Sequence, residues 1–144
     1  MEFNTDYPNK QRLLNIKLDE LFIKLKRYTD QPIPEQLSTD LVSGLRWLRE
    51  KTFLTLDQKH TVQSLANKVG LSESRFFAVY KSLFGISPID DIINAKIDTA
   101  KNLLLGSDQK ISHIAKALGY SDTTHFIRQF KSRTGVSPTK YRKL

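Results

Sequence analysis

Cysteine is absent from this chain of 144 residues, and tryptophan and methionine each occur once. Without cysteine the protein has no disulfide framework, no thiolate zinc site and no cysteine nucleophile. No apolar run approaches the roughly 20 residues of a membrane-spanning helix, and residues 1–10 lack the apolar core of a secretory signal. We therefore expect a cytoplasmic protein without a membrane segment.

Features that support catalysis are also missing. The histidines His60, His113 and His125 are far apart and show no metal-binding spacing. The adjacent carboxylates Asp90 and Asp91 point in different directions on a helix, so they do not form an acid–base pair. There is no glycine-rich phosphate loop and no nucleophile elbow. The sequence predicts a protein that is not an enzyme and has no metal or cofactor.

Positive charge is concentrated in one part of the chain. The formal net charge is +8. Residues 1–44 carry 6 basic and 7 acidic side chains, whereas residues 45–144 carry 17 basic and 8 acidic ones. This excess favours a polyanionic partner, although a solvated surface has the same composition.

Apolar spacing predicts helices throughout. Residues 10–29 place four leucines on one helical face, and Pro32 and Pro34 then end the helix. A further helix is expected from Ser38 to about Lys51. Its expected inward-facing residues are Leu41, Val42, Leu45, Leu48 and Trp47. Beyond Thr61 no strand-like alternation persists, and glycines separate short helical segments.

The basic part contains an internal repeat. Residues 65–70 match residues 114–119 at an offset of 49. Six positions within residues 76–88 then match six within residues 126–138 at an offset of 50. Because both blocks occur in the same order, we infer two copies of one supersecondary unit, which are too few for a solenoid.

Each copy has the pattern of a helix-turn-helix. An alanine four residues before Gly70 and Gly119 allows a second helix to cross closely. The glycine ends the first helix in a left-handed conformation, and Ser72 or Asp122 can cap the second helix. A plain helical bundle with glycine turns is the alternative.

A long helix is predicted between the copies. Ser87 can cap it, Pro88 suits its first position, and Asp90 faces the positive end of its dipole. Its apolar stripe continues over about four turns to Gly106. A helix of this length acts as a rigid spacer between the two units.

The second copy and the connecting helix contain the residues that are most specific for a known protein family. These are Ile114, Ala115, Leu118, Gly119, Tyr120, Ser121, Asp122, Phe126, Arg128, Gln129, Phe130, Lys131, Gly135, Ser137, Pro138, Tyr141 and Arg142, with Lys96, Ile97, Ala100, Leu103 and Leu104. With them, residues 61–144 resemble the DNA-binding domain of the AraC/XylS family of bacterial transcription regulators. Departures from the family pattern are Lys96 for arginine, Asp91 for tyrosine, and Phe77 and Ala78 for a small polar residue and arginine.

The resemblance implies an all-α fold. Two helix-turn-helix units are joined by a long connecting helix, in homeodomain-like three-helix subdomains, with an additional N-terminal helix. Seven helices form the DNA-binding domain, and its two recognition helices enter adjacent major grooves about 34 Å apart. We assign residues 1–37 to the N-terminal helix and linker, and residues 38–144 to the DNA-binding domain. The helix-turn-helix units are expected at about 61–84 and 110–134.

The implied partners are double-stranded DNA and RNA polymerase, in the bacterial cytoplasm at the nucleoid. Family members usually carry a separate effector-sensing domain, for which 144 residues leave no room. The alternative function is a helical interaction or dimerisation module that binds DNA only non-specifically. The relevant residues are Leu14, Leu18, Leu21 and Leu25, which could pair with a second copy or pack on their own domain.

The base-reading residues are expected at the outward positions of the recognition helices. In the second unit Arg128 can bond guanine with two hydrogen bonds. In the first unit Arg75 is the main candidate, while Phe77 either contacts thymine methyl groups or belongs to the core. The full set is Ser74, Arg75, Phe77, Ala78, Thr123, Thr124, His125, Ile127 and Arg128.

Other polar residues are expected to contact phosphates, which set orientation and salt dependence rather than sequence preference. They are Lys81, Lys96, Ser121, Lys131, Lys140, Arg142 and Lys143. For Arg128 the alternatives are a phosphate contact or a surface ion pair. Specificity is expected to rest unevenly on the two units, because the first offers fewer hydrogen-bonding groups.

Overall fold

The computed structural model describes residues 37–144, which form seven α-helices and no strand. The helices are α1 (Thr39–Phe53), α2 (Val62–Lys68), α3 (Glu73–Phe84), α4 (Pro88–Gly106), α5 (Ile111–Ala117), α6 (Thr123–Thr134) and α7 (Pro138–Tyr141). The predicted all-α fold is confirmed for these residues, whereas the additional N-terminal helix expected over residues 10–29 lies outside them. The expectations for the leucines at 14, 18, 21 and 25 lie outside the described residues. Among residues 37–144, no helix has the length and apolar character to cross a bilayer.

Side-chain caps close the starts of several helices, including the two at Ser38 and Ser87. The Ser38 hydroxyl accepts a hydrogen bond from the Leu41 amide at 3.3 Å. The Ser87 hydroxyl accepts one from the Asp90 amide at 3.2 Å, with Pro88 in the first turn of α4. These bonds satisfy amides that have no partner within the helix. The cap of α4 and its end at Gly106 agree with the sequence prediction.

Helix α1 ends at Phe53, within two residues of the expected end near Lys51. One feature of α1 differs from the prediction. Trp47 is 57% exposed, so the expectation that it faces inward is wrong. The buried side of α1 is formed by Leu45, Leu48 and Thr52. Trp47 directly precedes Leu48, and one residue turns a helix by about 100°, which carries the indole away from that side.

The core is divided into two clusters, and α4 contributes to both. The first cluster consists of Leu45, Leu48, Leu56, Leu65, Ala66, Phe76, Val79, Tyr80 and Ile92. The second consists of Ile97, Ala100, Leu104, Ile114, Ala115, Leu118, Phe126 and Phe130. Each cluster forms the core of one helix-turn-helix unit. Helix α4, with 19 residues, therefore packs against both units as a single rigid element.

The repeated turns have nearly the same geometry. Gly70 has φ 66° and Gly119 has φ 76°, the left-handed region that glycine adopts without a side-chain clash. The amide after each glycine donates a 3.0 Å hydrogen bond to the carbonyl five residues earlier. The pairs are Leu71 to Ala66, and Tyr120 to Ala115. This matched pattern closes the end of α2 and of α5 in the same way.

A polar network around the buried Asp91 carboxylate fixes the first recognition helix to its neighbours. Arg49 of α1 donates to both carboxylate oxygens of Asp91, at 2.6 and 3.0 Å. The Tyr80 hydroxyl of α3 donates to the same carboxylate at 2.7 Å. The Arg49 guanidinium also lies 4.7 Å from the ring centre of Phe53 and 5.1 Å from that of Phe84. The network therefore joins α1, α3 and α4.

The pKa values of this network reflect its geometry. Burial alone would raise the pKa of Asp91, but the hydrogen bonds from Arg49 and Tyr80 outweigh burial and hold that pKa below its ordinary value. Burial, together with the hydrogen bond to Asp91, raises the pKa of the Tyr80 hydroxyl. Asp91 is therefore a carboxylate at neutral pH and Tyr80 is a neutral donor to it.

Candidate nucleic-acid interface

Helix α6 has one buried face and one exposed polar face. Phe126 and Phe130, four residues apart, are buried in the second core. The predicted base-reading residues of this helix turn away from that core. Thr124, His125, Ile127 and Arg128 are exposed and Thr123 is half-buried.

The start of α6 is held by its cap and by the preceding turn. The Asp122 carboxylate accepts hydrogen bonds from the Thr124 amide at 3.0 Å and the His125 amide at 3.2 Å. These bonds hold the pKa of Asp122 below its ordinary value. The Tyr120 ring lies edge-on to Phe126 at 5.2 Å, and its hydroxyl donates to the Gln129 side chain. Burial raises the pKa of Tyr120 to about 12, so the hydroxyl remains a donor at neutral pH.

Helix α3 presents a smaller polar face. Its residues Phe76, Val79 and Tyr80 are buried. Arg75 is exposed, whereas Ser74, Phe77 and Ala78 are half-buried. Because Phe77 is neither fully buried nor fully exposed, both of its predicted roles stay open.

Equivalent positions of the two helices carry different chemistry. At the repeat offset of 50, Arg75 corresponds to His125, and Ala78 corresponds to Arg128. The first turn of α3 contains Glu73, whereas that of α6 contains no acidic residue. The exposed face of α6 therefore offers more hydrogen-bonding groups to base edges and less repulsion toward phosphate.

The predicted phosphate-contacting residues fall into two groups. The exposed ones are Lys81, Ser121, Lys131, Lys140 and Lys143. Arg142 is half-buried and donates to the Gln109 carbonyl, and its Nε is buried without a hydrogen-bond partner among the described residues. Lys96 is also half-buried, with its Nζ 5.0 Å from the ring centre of Tyr120. The phosphate-contacting roles of these residues stay predictions.

Sequence reasoning missed the contacts that hold the two helices in place. One is the Arg49–Asp91–Tyr80 network. Another is an ion pair between Arg133, in the last turn of α6, and Asp90, in the first turn of α4. The departure of Asp91 from the family pattern is the one signal that pointed to this region. Neither partner of Asp91 could be identified from spacing alone.

Comparison with known proteins agrees with this geometry. Residues 65–144, more than half of the chain, match the protein family described as a helix-turn-helix domain. The MmsAB operon regulatory protein of Pseudomonas aeruginosa is 34% identical over 105 residues, which cover 73% of this chain and 33% of that protein. The arabinose operon regulatory protein of Escherichia coli is 33% identical over 86 residues, covering 60% and 30%. The chain spans about a third to a half of the length of such curated relatives.

Solved structures show the same fold. The C-terminal domain of AraT, a response regulator from Geobacillus stearothermophilus, has a TM-score of 0.66 and 30% identity, covering 69% of this chain and 83% of that one. The DNA-binding domain of the global transcriptional factor AdpA, solved with a target DNA, has a TM-score of 0.67 and 25% identity, covering 69% and 90%. This chain belongs to the AraC family of transcription regulators and contains the family's DNA-binding domain with two helix-turn-helix units.

Proposed function

We propose that this protein regulates transcription by binding one face of duplex DNA, with α3 and α6 in successive major grooves. One observation carries the proposal. The two recognition helices occupy equivalent places in two repeated units, and both units pack on the single helix α4. Two recognition helices on one rigid helix suit two major grooves on the same face of the duplex. Such grooves recur about every 34 Å along the DNA. The same proposal places the protein at the nucleoid in the bacterial cytoplasm.

We assign most of the sequence preference to α6. Arg128 is exposed, and it makes no hydrogen bond to another side chain among residues 37–144. Its guanidinium is therefore available for the two acceptors of a guanine edge. In α3 the equivalent position is Ala78, which leaves Arg75 as the main polar reader. The first unit then contributes orientation and a weaker sequence preference.

Selection of bound sequences from a random duplex library at a stated salt concentration tests this function. We expect a motif with two parts about 10 base pairs apart, the part read by α6 being the more restrictive. Failure to enrich any sequence over random DNA would contradict the proposal. That outcome would favour an interaction module with non-specific DNA binding.

Replacing Arg128 by alanine is expected to weaken binding to the selected duplex by about 1–3 kcal/mol and to relax the choice at one base pair. Lys131→Ala is the matched control, since Lys131 lies one turn further along the same helix. The control should weaken binding similarly for all sequences and lower the slope of log K against log salt by about 1. Titrations on duplexes with single base changes measure both effects. If Arg128→Ala weakens all sequences equally, Arg128 contacts phosphate instead.

Two finer parts of the proposal concern partners. The leucines at 14, 18, 21 and 25 share one face of a predicted helix, and we propose that this face pairs two copies of the chain. Light scattering on the whole chain and on a version starting near Glu35 tests this. If each of the two proteins has the mass of its own monomer, the pairing is contradicted.

Contact with RNA polymerase is proposed from the regulatory names of the relatives. Co-precipitation with purified polymerase on the selected duplex tests it.

A further inference from the structure

The two halves of the DNA-binding domain, called units below and each built around one core cluster, meet at a close backbone contact. Asp57 lies in the loop between α1 and α2, and Gly119 lies in the turn between α5 and α6. A Cβ atom added at Gly119 would clash with the carbonyl group of Asp57. At the equivalent Gly70, an added Cβ would have no atom within 4 Å. The need for space at Gly119 therefore comes from the contact between the units and not from the turn itself.

Lys96 of α4 lies at this contact. Its Nζ is 5.0 Å from the ring centre of Tyr120, which directly follows Gly119. Burial lowers the pKa of Lys96, while the negative charge of Asp57 acts in the opposite direction. Lys96 also stands between Ile92 of the first core and Ile97 of the second. The Lys96 ammonium therefore lies against the aromatic ring of the second unit, where a cation and a ring attract each other, and the negative charge of Asp57 favours its charged form.

A second contact limits the same motion. The Arg133 guanidinium at the end of α6 pairs with Asp90 at the start of α4. The contacts at Lys96 and Arg133 involve opposite ends of the segment from Tyr120 to Thr134. Together they oppose tilting of α6 relative to α4, which a single contact would permit.

We propose that Lys96 is a positioning residue that fixes the angle between the two units and thereby the half-site spacing that the protein accepts. This inference rests on the proposed function, because spacing has meaning only if both helices enter grooves. One added base pair moves a half-site by about 3.4 Å and rotates it by about 35°. If the contact between the two units is rigid, the protein binds such an altered site weakly. If the contact is loose, the second unit can move to the displaced half-site. In this role Lys96 acts through Asp57 and Tyr120 and not through a phosphate.

The relative position of the units can be measured without DNA. The chain has no cysteine, so Ser82→Cys and Ser132→Cys introduce two unique sites for spin labels. Both serines are exposed and occupy equivalent positions of α3 and α6. We expect a narrow distribution of label distances, a broader or shifted one in Lys96→Met, and the original one in Lys96→Arg, which keeps the cation. Circular dichroism checks that each variant is folded.

Binding then distinguishes positioning from phosphate contact. Binding is measured on selected duplexes with none, one or two base pairs inserted between the half-sites. In Lys96→Met the ratio of affinity for the original spacing to affinity for an inserted spacing should fall about tenfold. The salt slope of this variant should remain that of the parent. Lys131→Met is the control, with unchanged discrimination and a slope lower by about 1.

Two results would overturn the positioning role. One is an unchanged label distribution in Lys96→Met. The other is a lower salt slope in Lys96→Met with full discrimination between spacings, which would make Lys96 a phosphate ligand. If the library selection yields no motif, the proposed function fails, and the label distances still decide whether Lys96 holds the junction.

Discussion

Replacing Asp91 by alanine is expected to lower the free energy of unfolding by about 2–4 kcal/mol, less than for a fully buried ion pair because the Arg49 side chain is 37% exposed. The Asp91 side chain is 8% exposed and binds Arg49 through two hydrogen bonds. Alanine would leave the buried Tyr80 hydroxyl without its acceptor and the guanidinium without its counter-charge. A buried group that loses its partner costs its full desolvation, which makes this change large. Urea unfolding followed by circular dichroism measures it.

Asp90 is the matched control, since it is the same residue type one position earlier on α4. Its side chain is 48% exposed, against 8% for Asp91, while the two arginine partners are about equally exposed, Arg133 at 35% and Arg49 at 37%. Such a pair contributes about 0–1 kcal/mol, so Asp90→Ala should destabilise far less than Asp91→Ala. Equal losses in the two variants would contradict the structural role of the Arg49–Asp91–Tyr80 network.

The same network predicts the direction of a pH effect. Because the pKa of Asp91 is lower in the folded protein than in the unfolded chain, the carboxylate stabilises the fold above its ordinary pKa, near 3.9. This stabilisation is lost as the pH falls through the depressed pKa. The stability difference between the parent and Asp91→Asn should therefore shrink as the solution is acidified below about pH 4.

Replacing Gly119 by alanine is the second change with a large expected effect. The left-handed backbone at φ 76° costs a side chain about 1–2 kcal/mol. The added methyl group would also clash with the Asp57 carbonyl, and overpacking adds about 1–3 kcal/mol. Because the clash lies between the units, this variant should also accept altered half-site spacing. Thermal unfolding and the duplexes with inserted base pairs measure the two effects.

Gly70→Ala separates the two causes. Gly70 has nearly the same φ, but an added Cβ meets no atom within 4 Å. This variant should show the backbone cost alone, with spacing discrimination like that of the parent. If Gly70→Ala and Gly119→Ala lose equal stability, the contact between Asp57 and Gly119 contributes nothing.

Local chemistry made much of the fold predictable. The sequence predicts caps at Ser72, Ser87 and Asp122, and each accepts the expected backbone hydrogen bond. Caps, glycine turns and apolar spacing act over a few residues, so a single sequence reveals them. The inward orientation expected for Trp47 is wrong because Trp47 lies at the edge of the apolar stripe of α1, where a side chain can face either the core or the solvent.

Contacts between distant residues could not be predicted in this way. Arg49 and Asp91 are 42 positions apart, and Asp90 and Arg133 are 43 apart. No periodicity links such pairs, because their meeting depends on how α4 crosses its neighbours. The outward face of α6 followed from the spacing of Phe126 and Phe130. The half-buried state of Phe77 did not follow, since it depends on how deeply α3 is set in the first unit.

Methylation interference on the selected duplex tests the central claim most directly, because it reports guanine N7 atoms in the major groove. We predict two clusters of interference on one face of the duplex, about 10 base pairs apart. Arg128→Ala should remove interference within one cluster, and Arg75→Ala should weaken the other. A single cluster, or the loss of both clusters in one variant, would contradict the claim that α3 and α6 read successive grooves separately.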